Sequence, residues 1–242
     1  MEWIYLSPHF DDVALSCGGL LWEQAQAGDT AAVWTVCAAE VPPGSLSPFA
    51  QSLHERWGTE LATIVQRRAE DVRSIHLLGA GARYFGFPDC IYRRDADSGV
   101  HLYASEEALF GELHPTEDSL VAQLSTELAQ EIPVGAQVVA PLALGGHVDH
   151  RLVRAAAEKL ETPLWYYADY PYIEESGEAE WVRLEEKEHL DFTVSEAGVE
   201  AWVASIAAHA SQISTFWPDR EAMQAAIKAY HQQVGGVRLF RG

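Results

Sequence analysis

The stretch Ser7-Pro8-His9-Phe10-Asp11-Asp12 follows the apolar run Trp3-Ile4-Tyr5-Leu6, which is short and β-prone and predicts a buried first strand. Pro8 cannot extend the hydrogen-bond ladder of a strand, so it marks where that strand ends. From Val13 to Ala25, apolar residues recur at helical spacing, and one of the two aspartates stands where a helix N-cap is expected. A His and two carboxylates therefore lie at the carboxyl end of a strand, where open α/β sheets bind their ligands.

A second stretch, Gly145-Gly146-His147-Val148-Asp149-His150, repeats this arrangement later in the chain. Residues 137–141 predict a strand before it, and residues 151–160 predict a helix directly after it. Either stretch alone is more typical of a helix N-cap with incidental histidines, but the joint occurrence favours a functional site. If the two strands are neighbours in one parallel sheet, the two stretches face each other at its carboxyl edge.

Together the two stretches supply more polar groups than one metal site needs. A catalytic zinc ion usually takes three His or carboxylate ligands and keeps its fourth position open. Two imidazoles and one carboxylate satisfy that requirement, which leaves the other groups to orient ligands and to transfer protons. The candidate residues are His9, Asp11, Asp12, His147, Asp149 and His150.

The rest of the chain alternates short apolar runs with longer helical segments. Residues 31–37 predict a strand covered on both faces, as in a parallel sheet, and residues 163–167 predict another strand. Predicted helices cover residues 52–78, 117–132, 194–211 and 220–233, whereas the acidic segment 174–188 predicts a solvated loop or a charged edge. These features predict one α/β domain over residues 1–242, a Rossmann-like three-layer sandwich with a mostly parallel sheet.

The charge of the chain argues against several classes of partner. The 36 acidic and 16 basic residues give a formal net charge of -20, which repels nucleic acid and anionic membranes. The three cysteines are well separated, which argues against a disulfide framework and against a Cys-x-x-Cys metal motif. No apolar run reaches membrane-spanning length and the start lacks a signal-peptide pattern, so we expect a cytoplasmic protein. The sequence leaves the oligomeric state open, a homo-oligomer included.

The two stretches, with Gly18-Gly19 between them, resemble the two signatures of the PIG-L/LmbE-like family of zinc-dependent de-N-acetylases. Phe10 departs from the pattern, because many members have Pro there. Residues 40–52 and 92–114 match nothing in the family pattern, so we expect substrate choice to lie in them. Weaker matches are the Arg67, Glu70, Leu78 and Gly79 positions of an R-x-x-E helix, the segment Phe85-Gly86-Phe87-Pro88-Asp89, and the element His209-Ala210-Ser211-Gln212.

The resemblance implies a role for each polar group of the two stretches. Asp11 would be the general base that takes a proton from the attacking water. His147 would stabilise the developing oxyanion and protonate the leaving amine, and Asp149 would hydrogen-bond to an imidazole, that of His147, and raise its pKa. The zinc ligands would be His9, Asp12 and His150, although the sequence does not distinguish zinc from iron as the native metal.

Substrate contacts follow less directly from the resemblance and from the aromatic residues near the fifth predicted strand. Asp89 resembles a family position near the sugar, and Arg67 or Arg68 could meet a polar aglycone, unless the charge-dense run 67–73 is simply a solvated helix face. Tyr167, Asp169 and Tyr170 could form a sugar-binding wall, or could equally pack in the core.

The predicted function is zinc-dependent hydrolysis of an N-acyl, above all N-acetyl, group on an amino sugar or its conjugate. The absence of a basic patch favours a soluble small-molecule substrate over a membrane-bound glycolipid. Two alternatives stay open at this point. One is a zinc amidase that acts on a thiol-sugar conjugate or a non-sugar amide, and the other is a metal-containing sugar-binding protein without turnover.

Overall fold

The sheet organises the molecule in a computed structural model that describes residues 1–57, 63–175 and 177–242. Within these residues, seven strands form one sheet in the order β3-β2-β1-β4-β5-β7-β6. The first five of that order are parallel, and β7 runs antiparallel to both β5 and β6. The mostly parallel α/β sheet is therefore confirmed. The strands are β1 (Glu2–Ser7), β2 (Thr30–Thr35), β3 (Gly81–Tyr84), β4 (Gln137–Pro141), β5 (Leu164–Tyr167), β6 (His189–Thr193) and β7 (Gly236–Arg241).

Helices flank this sheet in two groups, as the three-layer prediction requires. Helix α9 contacts α1, α3 and α11, whereas α5 packs beside α6, which contacts β4. No helix in the described part of the chain is both long and apolar enough to cross a bilayer. The helices are α1 (Asp12–Gln26), α2 (Pro48–Trp57), α3 (Thr63–Leu77), α4 (Glu106–Leu109), α5 (Asp118–Glu131), α6 (Val148–Ala157), α7 (Tyr172–Glu175), α8 (Glu178–Glu185), α9 (Glu196–Ala208), α10 (Ile213–Phe216) and α11 (Arg220–Val234).

The centre of the sheet is the pair β1 and β4, whose parallel register aligns Ile4 with Val138. Both strands are almost fully buried, because each is covered by a helix layer on either face. After β1 the chain proceeds outward through β2 and β3, and from β4 it proceeds the opposite way into β5. The order of the strands therefore reverses between β1 and β4, and a crevice forms outside their carboxyl ends, as in other open α/β sheets. The prediction that the two strands are neighbours is confirmed.

The pair Gly18-Gly19 allows α9 to approach α1 closely. A Cβ atom on Gly18 would lie 2.5 Å from Cδ1 of Trp202, nearer than real Cβ atoms approach. The indole is fully buried, and its Nε1 donates to the carbonyl oxygen of Ala14 at 2.8 Å. A side chain at Gly18 would therefore push α9 away from α1, the helix that begins at Asp12 of the first stretch.

Some predicted boundaries and elements differ from those observed. The segment predicted as one helix over 52–78 contains α2 and α3, and its residues 58–62 lie outside the described residues. The segment 174–188 was predicted to be a loop or charged edge, but α7 and α8 occupy most of it. Strands β6 and β7 were not predicted, because β6 is half exposed and lacks a continuous apolar run.

Candidate active site

Three candidate ligands converge at the carboxyl ends of β1 and β4. One donor atom from each of His9, Asp12 and His150 lies within 4.8 Å of the other two. Asp12 is at the centre: its Oδ2 lies 3.1 Å from Nδ1 of His9, and its Oδ1 lies 3.3 Å from Nε2 of His150. The backbone N–H of His9 also donates to Oδ2 at 2.7 Å, which fixes the carboxylate at the first turn of α1. The structure thus brings together the three predicted ligands from both stretches.

Each imidazole of this cluster has a second carboxylate on its outer nitrogen. Nε2 of His9 lies 2.9 Å from Oδ2 of Asp149, and Nδ1 of His150 lies 2.6 Å from Oδ1 of Asp169. A neutral imidazole carries one N–H, so when the outer nitrogen donates, the inner nitrogen presents its lone pair to Asp12. Nε2 of His150 is buried and has no hydrogen-bond partner among the described residues. Two lone pairs and a carboxylate facing one point suit a divalent metal ion, and the outer carboxylates are the usual support of metal-binding histidines.

The pKa shifts of the cluster residues also indicate that its centre favours a positive charge. Burial lowers the pKa of His150, but Asp12 and Asp169 outweigh that effect and raise it to about 10. Burial likewise opposes protonation of His9, and Asp12 and Asp149 nevertheless raise its pKa well above the ordinary value. Asp12 is buried too, yet the two imidazoles hold its pKa well below the usual range. Positive charge at the centre of this cluster is therefore strongly favoured.

Asp11 lies beside the cluster and faces the same pocket. Its Oδ1 is 3.3 Å from Nη2 of Arg67, whose guanidinium packs over the rings of Phe10 at 5.5 Å and Trp57 at 5.2 Å. Asp11 occupies the N-cap position of α1, as predicted, but its side chain makes no capping hydrogen bond, and Oγ of Ser7 instead accepts the N–H of Val13 at 3.3 Å. The carboxylate of Asp11 is therefore free for the pocket and is positioned by an arginine from α3.

His147 is the N-cap residue of α6 and lines the pocket opposite His9, with ring centroids 5.0 Å apart. Its Nδ1 accepts the backbone N–H of Asp149 at 3.2 Å, so the neutral ring carries its hydrogen on Nε2. Burial first, and then the charges of His9 and His150, lower the pKa of His147 to about 3. The ring is thus a neutral donor toward the pocket.

The predicted partner of Asp149 is wrong. Its carboxylate makes no hydrogen bond to the ring of His147, and although its charge acts to raise the pKa of that ring, burial outweighs it. It accepts from Nε2 of His9, from the backbone N–H of Cys90 at 3.0 Å and from the guanidinium of Arg93. The backbone direction at the start of α6 turns the Asp149 side chain toward these groups, and only its N–H toward His147.

Two predicted substrate contacts are also wrong, because both residues are buried behind the cluster. Tyr167 has no exposed surface, and its hydroxyl donates to the carbonyl oxygen of Leu6 at 3.1 Å. Asp169 supports His150 and accepts the N–H of Leu144 at 2.9 Å. Tyr170 packs against Tyr230 in the core, with ring centroids 4.5 Å apart. Strand β5 lies between β4 and β7 within the sheet, so the residues at its carboxyl end face packed helices.

The other predicted contacts do line the pocket. Asp89 lies at its wall, with Oδ2 at 3.8 Å from Nε2 of His9. Arg67 also lines it, but Arg67 is buried against Asp11 and is not part of a solvated helix face. The guanidinium of Arg68 lies elsewhere and donates to the carbonyl oxygen of Ala38 at 2.6 Å.

The pocket above the cluster has a volume of about 150 Å³ and a largely aromatic wall. A larger cavity of about 500 Å³ lies elsewhere and is lined by none of the candidate residues. The smaller pocket is therefore the candidate active site, because several of the candidate residues line it. No local sequence signal marks the wall residues, because they come from α2, α7, α10 and the residue after α4, which only the fold brings together. The aromatic wall consists of Phe49, Trp57, Phe110, Tyr172 and Phe216.

This chain belongs to the PIG-L family: the family model described as GlcNAc-PI de-N-acetylase matches residues 4–160, which include both stretches. The curated proteins that resemble it include a 2'-N-acetylparomamine deacetylase from Niallia circulans, 32% identical over 216 residues, which are 81% of this chain and 78% of that protein. A protein of the same name from Streptomyces fradiae is 34% identical over 179 residues, covering 70% of this chain and 57% of that protein.

Solved structures of deacetylases share the whole fold. The zinc inhibited form of teicoplanin deacetylase Orf2 superposes with a TM-score of 0.83 and 26% sequence identity, covering 100% of this chain and 97% of that one. A complex of a deacetylase with teicoplanin superposes with a TM-score of 0.78 at 27% identity, covering 100% of this chain and 98% of that one. Relatives named as deacetylases therefore resemble this chain both in sequence and in structure.

Proposed function

We propose that this protein is a zinc-dependent hydrolase that removes the N-acetyl group from an amino sugar or its conjugate. The observation that carries the proposal is the placement of two groups on one pocket directly above the His9–Asp12–His150 cluster: a carboxylate outside the predicted ligand set, Asp11, and a neutral imidazole, His147. The similarity to a 2'-N-acetylparomamine deacetylase and to teicoplanin deacetylase Orf2 supports it. One domain over residues 1–242 would carry this activity.

The donor set fits zinc, because two imidazoles and one carboxylate form a usual catalytic zinc site with an open position. Zinc bound there would polarise the amide carbonyl and lower the pKa of water toward ~7. Teicoplanin deacetylase Orf2, whose fold this chain shares, has a zinc inhibited form, so zinc acts on a structural neighbour, although as an inhibitor there. Asp149 and Asp169 would hold the two imidazoles with their lone pairs toward the metal.

Asp11 would act as the general base. It accepts a proton from the attacking water while the water oxygen forms a bond to the carbonyl carbon of the amide. Arg67 holds this carboxylate in the pocket through the ion pair between its Nη2 and Oδ1 of Asp11. When the C–N bond breaks, the leaving amine takes its proton from Asp11, and not from His147 as the resemblance implied, because a pKa of about 3 keeps the His147 ring neutral. Acetate and a free amino sugar result.

His147 would stabilise the oxyanion that forms on the carbonyl oxygen. Because Nδ1 accepts a backbone N–H, the hydrogen on Nε2 is available to the substrate. In the same pocket, the rings of Trp57, Phe110 and Tyr172 offer flat apolar surfaces for the face of a sugar ring, and Asp89 offers an acceptor for its hydroxyls. The aromatic wall thus supports a sugar conjugate over a small linear amide.

The test is acetate release from a panel of N-acetylated amino sugars, combined with metal analysis of the purified protein. Asp11→Asn should lower kcat by about 10²- to 10⁴-fold while the zinc content stays at that of the wild type, because Asp11 transfers a proton and does not bind the metal. Asp191→Asn, on the exposed strand β6, is the matched control and should keep full activity. A wild-type protein that is active without metal, or unaffected by a chelator, would contradict the mechanism.

The same assay separates the remaining alternatives. An amidase acting on thiol-sugar conjugates or non-sugar amides would hydrolyse those compounds in preference to N-acetylated amino sugars. A sugar-binding protein without turnover would hold zinc and release acetate from none of the substrates.

A further inference from the structure

The carboxylate of Asp149 joins the metal cluster to a buried network beyond it. Asp149 has no exposed surface, and its Oδ2 accepts from Nε2 of His9 at 2.9 Å and from the N–H of Cys90 at 3.0 Å. Its Oδ1 is bound by Nη1 of Arg93. Each oxygen therefore has a fixed donor, and Arg93 is the one arginine or lysine that contacts this carboxylate among the described residues.

Arg93 is in turn held from its other edge. Its Nε lies 2.6 Å from Oε1 of Glu117, and its Nη2 lies 3.5 Å from Oε2 of the same carboxylate. The ring of Tyr103 packs over the guanidinium at 5.2 Å, and the Tyr103 hydroxyl donates to Glu117. The N–H of His114 donates to that hydroxyl at 2.8 Å. These contacts hold the guanidinium plane so that Nη1 of Arg93 faces the carboxylate of Asp149.

Part of this network comes from a segment that matches nothing in the family pattern. Arg93, Tyr103 and His114 all lie in residues 92–114, where we expected only substrate choice. Part of that segment does line the pocket, through Glu106, Leu109 and Phe110, but Arg93 is not among the lining residues. The planar, permanently charged guanidinium of Arg93 instead points at Asp149, the carboxylate that accepts the hydrogen bond of His9.

We propose that Arg93 is a positioning residue of the metal centre: it holds the carboxylate of Asp149 in the orientation that accepts the Nε2 hydrogen of His9, so that Nδ1 of His9 is presented to the metal. The proposal deepens the zinc site on which the proposed function rests. Support of this kind around a metal-binding histidine typically changes metal affinity by about 10- to 100-fold. Since Arg93 touches no part of the pocket, its replacement should leave substrate binding unchanged.

The experiment compares Arg93→Gln with Arg94→Gln, the same change at the next residue. Arg94 is exposed, and among the described residues its guanidinium donates hydrogen bonds only to the backbone carbonyls of Ser45 and Gly99. Zinc affinity is measured by competition with a chromogenic chelator on protein shown to be folded by circular dichroism, and KM is measured with saturating zinc. We expect Arg93→Gln to raise the zinc Kd about 10- to 100-fold with KM unchanged, and Arg94→Gln to change the Kd less than about twofold.

Arg93→Lys separates the role of the positive charge from that of the planar guanidinium group. Lys keeps the charge but cannot contact Asp149 and Glu117 with one rigid plane, so we expect a partial rescue, with a zinc Kd between those of the wild type and Arg93→Gln. A folded Arg93→Gln protein that binds zinc as tightly as the wild type would overturn the proposal while leaving the proposed function intact. A wild-type protein that binds no zinc would overturn both.

If Arg93→Gln fails to fold, a double-mutant cycle between Arg93→Lys and Asp149→Asn decides. Because Arg93 is argued to act through Asp149, the double variant should lose little more zinc affinity than Asp149→Asn alone. Independent, additive losses would show that Arg93 supports only the surrounding loop.

Discussion

Replacing Asp71 with Asn tests whether a buried acid of α3 makes the stability of this protein depend on pH. Asp71 has no exposed surface, and its Oδ2 accepts the Tyr84 hydroxyl at 2.8 Å. Burial, and to a smaller degree the nearby charge of Asp11, raise the pKa of this carboxyl to about 8. In the unfolded chain the same group has a pKa near ~3.9. The folded protein therefore binds one more proton than the unfolded chain over the interval between these two values.

The sign and the size of the effect follow from this proton. A group whose pKa is raised by folding stabilises the fold fully below its unfolded pKa, and the stabilisation is lost as pH rises toward the folded pKa. Between pH 5 and pH 7 the contribution of Asp71 to the free energy of unfolding should fall by about 1.4 kcal/mol per pH unit, or about 2.7 kcal/mol in all. Asn cannot ionise, so Asp71→Asn lacks this dependence. The stability of the variant relative to the wild type should therefore rise by about 2.7 kcal/mol from pH 5 to pH 7.

The assay is urea unfolding of both proteins at pH 5, 6 and 7, at identical zinc content, so that the other titrating groups cancel in the difference. Asp97→Asn, at an exposed position, is the control and should show a difference that does not change with pH. A difference between Asp71→Asn and the wild type that is equal at pH 5 and pH 7 would refute the reasoning, since Asp71 would then be ionised in the folded protein.

Three further substitutions test the site as the structure describes it. Asp169→Asn should weaken zinc binding about 10- to 100-fold in a chelator competition and leave KM unchanged, because Asp169 supports His150 behind the pocket; a raised KM would restore its predicted role as a substrate contact. Tyr167→Phe should lower the free energy of unfolding by about 1 kcal/mol through the lost bond to Leu6, with kcat and KM unchanged in steady-state assays. Trp57→Ala should raise KM by roughly 10-fold by removing an aromatic wall of the pocket, and an unchanged KM would place the sugar elsewhere.

The predicted sheet and ligand set agree with the structure where local patterns carried the information. The apolar runs ending at Pro8 and Pro141 predicted β1 and β4, and the helical spacing after each His-and-Asp stretch predicted α1 and α6. Parallel strands deliver their carboxyl ends to one edge, so two such stretches were expected to meet there. That rule predicts that the two stretches meet, whereas the choice of His9, Asp12 and His150 among their six polar groups came from the family resemblance.

The errors share one cause, which is that they concern partners far apart in the chain. Asp149 was predicted to bind its neighbour in sequence, His147, but it pairs with Arg93, 56 residues away. Tyr167 and Asp169 were predicted to line the pocket from their aromatic and acidic character, but the burial of β5 turns both inward. Burial and distant pairing depend on which helices cover a strand, and local composition does not specify this.

The sequence by itself thus determined the kind of chemistry: which side chains could hold a metal and which strand ends bring them together. The division of these side chains into ligands and general base came from the family resemblance. Hydrophobic periodicity and turn residues act between near neighbours, so they can be read along the chain. The tertiary structure alone decided how each group is held, with Arg67 on Asp11, Asp169 on His150, and Asp149 between His9 and Arg93. Such pairs form only when packing buries charges from distant segments against each other, because a buried charge requires a partner wherever the fold supplies one.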